Sequence, residues 1–264
     1  MTDLWEQSRQ PEPSVSAGRI PEWPERHGHG DPDQPATAAR IESLLAHLDA
    51  DQRTAVTTTD GPVLVVAGPG SGKTRVLTHR VAYLIASGRA RPWQVLAVTF
   101  TNKAAREIRE RLEQLLDASS ARLVQAGTFH SVCARVLRRD GGRIGLEPSF
   151  TIYDEEDQVA LVKQALRDLG LDVQRFAPRS VLGRISRAKN AFQSPAELAQ
   201  SAQSYWDEVV ARVYERYSQL LQRAQAVDFD DLLLLTVELF ERRPDLLALY
   251  QERWRYLLVD EYQD

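Results

Sequence analysis

One stretch restricts the possible folds of this chain more than any other: Ala67-Gly68-Pro69-Gly70-Ser71-Gly72-Lys73-Thr74, which follows the apolar run Val63-Leu64-Val65-Val66 directly. A short apolar run bounded by Gly61-Pro62 and by glycines predicts a fully buried parallel strand over Val63–Ala67. Helical character resumes from Arg75 to Ile85. A strand that turns through glycines into a helix aims backbone N–H groups, and the positive end of the helix dipole, at one point in space. That arrangement binds phosphate. In it Lys73 reaches the β- and γ-phosphates and the Thr74 hydroxyl holds magnesium. The strict pattern has glycine at position 67; alanine is small enough to make the same turn. Gly68, Pro69, Gly70, Ser71, Gly72, Lys73 and Thr74 are therefore the expected nucleotide-binding residues, with ATP and Mg2+ as the ligands.

The rest of the pattern alternates. Val95 to Phe100, Leu123 to Phe129 and Tyr256 to Val259 are further strand candidates, and Lys103 to Leu116 repeats apolar residues at helical spacing. Strands alternating with helices imply an α/β fold with a parallel sheet. Between Phe129 and Tyr256 the strand signal fades and helical stretches dominate, around Gln158–Leu169, Val209–Gln225 and Asp230–Phe240. That is too long for a simple crossover and predicts an inserted helical subdomain. Upstream, Ile41, Leu44, Leu45 and Leu48 predict a helix, and a second short one is expected over Asp49 to Ala55.

Residues 1–37 differ in kind. They carry prolines at 11, 13, 21, 24, 32 and 35 and no sustained apolar period, the composition of a segment without fixed structure. His27 and His29 could be ligands, and Trp5 and Trp23 a docking point, but a flexible tail accounts for both. This tail also explains the formal charge of −4. Arg9, Arg19 and Arg26 stand against Asp3, Glu6, Glu12, Glu22, Glu25, Asp31 and Asp33, so the remaining chain is balanced and its total charge decides nothing about a nucleic-acid partner. A single cysteine, Cys133, excludes an internal disulfide. No aliphatic run, Val63 to Ala67 and Leu232 to Leu235 included, approaches the roughly 20 residues of a membrane helix. A soluble, cytoplasmic and nucleoid-associated protein is expected.

Asp260-Glu261 ends the last strand candidate, at the carboxyl edge where open α/β sheets bind ligands. Asp260 is placed to hold the magnesium and Glu261 to deprotonate the attacking water. Gln52 could read an adenine edge with its amide or be a surface residue of a short helix. Two further strand ends lead into helices: Thr99-Phe100-Thr101-Asn102-Lys103 and Gly127-Thr128-Phe129-His130-Ser131. Their hydroxyl and amide groups suit a phosphate backbone. Phe100 suits stacking on a base or capping the core; Phe129 suits the core; His130 could contact DNA.

Taken together, the chain resembles the UvrD/PcrA/Rep family of superfamily 1 DNA helicases. The likeness rests on Leu48 to Gln52, Gly-Lys-Thr-Arg at 72–75, Thr-Phe-Thr-Asn-Lys-Ala-Ala at 99–105, Thr-Phe-His-Ser at 128–131, Ala-Lys-Asn at 188–190, Asp-Phe-Asp-Asp-Leu at 228–232 and Asp-Glu-Tyr-Gln-Asp at 260–264. It spans roughly residues 44–264. The resemblance implies that Gln52 reads adenine, that Arg75 lies close to the nucleotide, and that Lys73 and Glu261 are catalytic. It implies magnesium at Thr74 and Asp260. Thr99, Phe100, Asn102, Thr128, His130 and Phe229 would line a path for single-stranded DNA. It further implies a P-loop RecA-like domain 1A in two parts, 38–130 and 251–264, with the helical subdomain 1B at 131–250 between them. Family members move 3′ to 5′ on single strands and unwind duplexes in repair or replication. They continue past Asp264 with a second RecA-like domain that completes the ATP site. The 264-residue chain by itself is therefore expected not to unwind DNA. A helicase–nuclease motor and a DNA-binding module without catalysis are the competing expectations.

Overall fold

The computed structural model describes residues 35–263, with side chains from residue 38 onward. Of the N-terminal extension expected from composition, residues 1–34, with His27, His29, Trp5 and Trp23, lie outside the described residues, and its last three residues, 35–37, instead open a helix.

Two helices come first, α1 (Pro35–Leu45) and α2 (Ala50–Thr57), and then α3 (Lys73–Ala86) follows the glycine-rich loop. The parallel sheet begins with β1 (Val95–Thr99), continues through α4 (Asn102–Leu115) and α5 (Ala118–Leu123) to β2 (Gln125–Thr128), and is joined at the end of the chain by β5 (Tyr256–Val259). Its order is β2-β1-β5, with Leu96 opposite Gln125 and Leu257. All five β1 residues are buried, which is why this strand is an unbroken apolar run rather than an alternating one. Leu77, Val81 and Leu84 of α3 and Ile108 and Leu112 of α4 pack with Val95, Ala97, Ala126 and Leu258 into one core. Their spacing of three and four residues is the apolar stripe read from the sequence.

Between β2 and β5 the chain is largely helical: α6 (Phe129–Asp140), α7 (Glu155–Asp168), α8 (Pro178–Asn190), α9 (Pro195–Gln200), α10 (Tyr205–Arg223), α11 (Phe229–Arg242) and α12 (Pro244–Arg253). One core here joins Val162, Leu166, Val181, Ile185, Val210, Val213, Tyr214 and Tyr217 from α7, α8 and α10. Another joins Leu137, Phe150, Leu232, Leu239 and Tyr250 from α6, α11, α12 and the loop after α6. A short parallel ladder, β3 (Thr151–Ile152) with β4 (Ala226–Val227), brings the segment before α7 beside the one before α11. The sequence carries no signal for this ladder, since two residues show no periodicity. Among the described residues no helix is long and apolar enough to cross a membrane.

One expectation is corrected. Val63–Ala67 is not part of a sheet: these residues pair with no strand, and Leu64 and Val66 are 72% and 87% exposed. A strand exists only as a ladder. Both edges of β1 are already taken by β2 and β5, and no other described strand lies beside the run. Apolar composition supplies the propensity for a strand but not the partner.

Candidate functional site

The glycine-rich loop leads into α3 through Gly70 and Gly72, whose φ angles of 77° and 85° lie in the left-handed region. Gly72 is the N-cap of α3 and supplies no side-chain cap, so the first-turn amides keep their donors for an anion. A Cβ at 72 would also sit 3.2 Å from the Gln52 side-chain nitrogen, a tight contact. Ser71 Oγ donates to Gly68 O at 2.7 Å, and Lys73 Nζ donates to Ala67 O at 3.2 Å and Gly68 O at 3.3 Å. The ammonium thus lies against the loop's own carbonyls, inside the turn a phosphate would enter.

Gln52 is fixed by a capping box at the start of α2. Its N–H donates to Asp49 Oδ1 at 2.8 Å, and its Oε1 accepts from the Asp49 N–H at 3.3 Å. Its Nε2 donates to Ser71 O at 3.0 Å, so this side chain ties α2 to the loop. That brace was missed from the sequence, although Asp-x-x-Gln is a recognisable cap pattern. Arg75 donates to His47 O at 2.8 Å and, with Gly72, Thr78, His79, Arg111, Gln114 and Leu115, lines a cavity of about 350 Å3 between α3 and α4. Burial lowers the His79 imidazole from its ordinary value, and the nearby Arg75 and Arg111 guanidiniums lower it further.

β5 delivers Asp260 to the same place. The Asp260 N–H continues the ladder by donating to Val98 O at 2.9 Å, and the residue is buried. Burial pushes its carboxyl up from the ordinary range and the charge of Glu261 adds to this, while Lys73 and a hydrogen bond from Thr74 pull it down. Lys73, Thr74 and Asp260, 187 positions apart along the chain at their widest, are thus neighbours. A buried carboxylate beside a hydroxyl, both hard oxygen donors, fits a magnesium ion that keeps most of its remaining positions for water and phosphate oxygens. Glu261 has φ 55°, strained backbone for a residue with a Cβ, and its carboxylate accepts from Gln263 Nε2.

The other predicted residues divide by exposure. Phe100 and Phe229 are 45% and 47% exposed, His130 is half-buried and Asn102 is exposed. Phe100 meets Phe129 in a tilted arrangement at 5.4 Å, and His130 meets Phe229 edge-on at 5.8 Å. Phe129 packs against Leu96, Val98 and Val132, in line with the core role expected for it. Thr99 and Thr128, read from the sequence as DNA contacts, present little side-chain surface. Both side chains are buried, and the Thr128 hydroxyl caps α6 by accepting from the Ser131 N–H at 3.2 Å. Thr99 ends β1, and Thr128 both ends β2 and caps α6. The exposed surface is made by the aromatic rings beyond them.

One cluster joins two motifs whose meeting the sequence did not show. Lys189 at the end of α8 is buried, with Nζ 2.7 Å from Asp228 and 2.6 Å from Asp231, and Tyr217 donates its hydroxyl to Asp228 at 2.9 Å. Burial alone would lower the Lys189 ammonium, but the charges of Asp231 and Asp228 more than reverse this and raise it. Burial pushes Asp231 up to about 6, relieved by Lys189 and increased by Asp228. Asp228 and Asp231 also form the capping box of α11, so the cluster fixes the helix terminus that carries Phe229.

Residues 48–264 match the family described as the UvrD/REP helicase N-terminal domain, and the chain belongs to that family. Its similar relatives include proteins named ATP-dependent DNA helicase PcrA. That of Bacillus subtilis (strain 168) is 51% identical over 221 residues, covering 84% of this chain and 30% of the relative. That of Leuconostoc citreum is 50% identical over 224 residues (85% and 30%), and that of Staphylococcus aureus (strain Mu50 / ATCC 700699) 48% over 224 residues (85% and 30%). The chain thus spans about 30% of the length of these curated relatives.

Proposed function

We propose that this chain is the ATP-binding part of an ATP-dependent DNA helicase motor that moves 3′ to 5′ along single-stranded DNA in repair or replication. The observation that carries the reading is the convergence of Lys73, Thr74 and Asp260 at the open N-terminus of α3. In this reading residues 38–130 and 251–264 form a RecA-like domain 1A and residues 131–250 an inserted subdomain 1B. A second RecA-like domain, in the part of the relatives that this chain does not span, completes the ATP site.

The roles follow from the chemistry of each group. The first-turn amides of α3 and the Gly68–Gly72 backbone hold the β-phosphate, and Lys73 leaves its two carbonyl partners for the γ-phosphate. Thr74 and Asp260 hold magnesium, which neutralises charge on the phosphate oxygens. Glu261 takes the proton of the attacking water. Gln52 keeps one amide hydrogen and one lone pair beyond its contacts with Ser71 and Asp49, enough to meet the N7 and N6 edge of adenine. Arg75 lies against the base.

Phe100, His130 and Phe229 form the strand-binding surface, with Asn102 near the sugar-phosphate backbone. A solvent-exposed phenyl ring adds little to folding, whereas stacking on a base is worth about 1–3 kcal/mol. In the full-length protein, alanine at Phe100 or Phe229 is expected to weaken oligodeoxythymidylate binding by that amount each and to leave the melting temperature nearly unchanged. Titrations and melting curves on the same samples check this. A loss of about 3–5 kcal/mol of stability with unchanged affinity would instead make these rings core residues.

A further inference from the structure

α8 ends in an unusual way. After Asn190 the chain turns through Ala191, Phe192 and Gln193 before α9, with Phe192 N–H donating to Lys189 O at 2.9 Å and Gln193 N–H to Ala188 O at 2.8 Å. Phe192 takes φ 53°, the left-handed conformation that closes many helices. Glycine or asparagine normally fills such a position, because a Cβ is strained there. Here a phenylalanine fills it, and its ring is 54% exposed. Backbone strain and an apolar ring in water both act against folding, and the exposed ring returns little packing in exchange.

The turn is held firmly in place. Lys189 is locked between Asp228 and Asp231, and Asn190 Nδ2 donates to Asp230 Oδ1 at 3.2 Å. Gln193 Nε2 donates to Ser201 Oγ at 2.8 Å on the far side. The end of α8 is therefore fastened, residue by residue, to the first turn of α11, whose first residue is the exposed Phe229. An exposed guanidinium, Arg187, lies in the last turn of α8, and the Asp230 carboxylate is engaged by Asn190.

We infer that Phe192 is a further nucleic-acid contact: its ring stacks on a base of a single strand, extending the Phe100 and Phe229 surface onto the end of α8. The inference rests on the strand-binding role proposed above for those two rings. Single-stranded nucleic acid is the partner that matches the chemistry, since stacking needs an exposed aromatic face and tolerates any base, and Arg187 supplies a cation for the phosphates. The Lys189 and Asn190 contacts act as positioning groups that fasten the end of α8, which carries Phe192, to the turn of α11 that carries Phe229.

The test uses the full-length protein and a fluorescent oligodeoxythymidylate, with affinity and melting temperature measured together. Phe192→Gly removes both the ring and the strain. It is expected to weaken binding by about 5- to 150-fold, the equivalent of one lost stacking contact, while the melting temperature holds or rises. Phe192→Asn tolerates the same backbone and should behave likewise, and Phe192→Tyr should bind as the parent does. Opposite movements of affinity and stability are what a packing role cannot produce. Wild-type affinity for Phe192→Gly, while Phe100→Ala and Phe229→Ala still bind weakly, overturns this inference alone. Loss of affinity only in step with a lowered melting temperature also overturns it. If all three rings can be removed without effect, the proposed strand surface itself is wrong.

Discussion

Lys73→Ala in the full-length protein is expected to slow ATP turnover by about 10²–10³-fold, roughly 3–4 kcal/mol of barrier, the usual effect of removing one preorganised stabiliser of transferring charge. The magnitude follows from where the ammonium lies. Lys73 Nζ is held by Ala67 O and Gly68 O, at the mouth of an uncapped helix whose amides already favour an anion. Withdrawing it removes the charge proposed to meet the γ-phosphate and leaves the loop backbone in place. Binding to a single strand without nucleotide should persist, because Phe100 and Phe229 are on other elements. ATP hydrolysis at the parent rate in a folded Lys73→Ala protein contradicts the assignment of the loop.

The largest expected effect on stability is at Lys189. Lys189→Met keeps the length of the side chain but leaves Asp228 and Asp231 buried without their counter-ion, a change that costs about 3–5 kcal/mol. The sign of its pH dependence can be worked out. Without Lys189 both carboxyls titrate in the folded state above the ordinary carboxylate value of about 3.9. The folded state then binds protons more readily than the unfolded one, so the variant loses stability as pH rises through that window. Its deficit is therefore smallest near pH 4 and largest at neutral pH. Adding Asp228→Asn and Asp231→Asn removes the buried charge, and asparagine still caps α11 and accepts from Tyr217. The triple variant should recover most of the loss. Urea unfolding at two pH values measures both effects; a deficit that deepens on acidification would contradict this account of the cluster.

What could be read from the sequence follows physical lines. β1, α4 and α11 were legible because burial on both faces makes a strand continuously apolar, and burial on one face gives a helix its 3.6-residue period. Val63–Ala67 carried the same signal as β1 yet pairs with nothing, since propensity lies in the residues and the ladder lies in the neighbours. Lys73, Thr74 and Asp260 were singled out by local patterns, a glycine-rich turn that opens a helix and an acid pair that ends an apolar strand. The Lys189 cluster was not, because 39 residues separate Lys189 from Asp228 and no local pattern shows that α8 and α11 meet. Thr99 and Thr128 were read outward because hydroxyls at strand ends suit phosphate, whereas one is simply buried and the other caps a helix. Nothing in Asn-Ala-Phe-Gln announces a left-handed turn, because the usual glycine is absent.

The central claim is that the glycine-rich loop and the Asp260-Glu261 strand end form one ATP-hydrolysing site. Glu261→Gln in the full-length protein tests it most directly, with nucleotide affinity and single-turnover hydrolysis measured side by side in the presence of DNA. The amide keeps the shape of the side chain and cannot take a proton, while Lys73, Thr74 and Asp260 still bind the nucleotide. The account predicts near-parental ATP affinity with hydrolysis reduced by about 10²–10⁴-fold, the contribution of a positioned general base. Unchanged hydrolysis, or loss of ATP binding with hydrolysis reduced only in proportion, would contradict it.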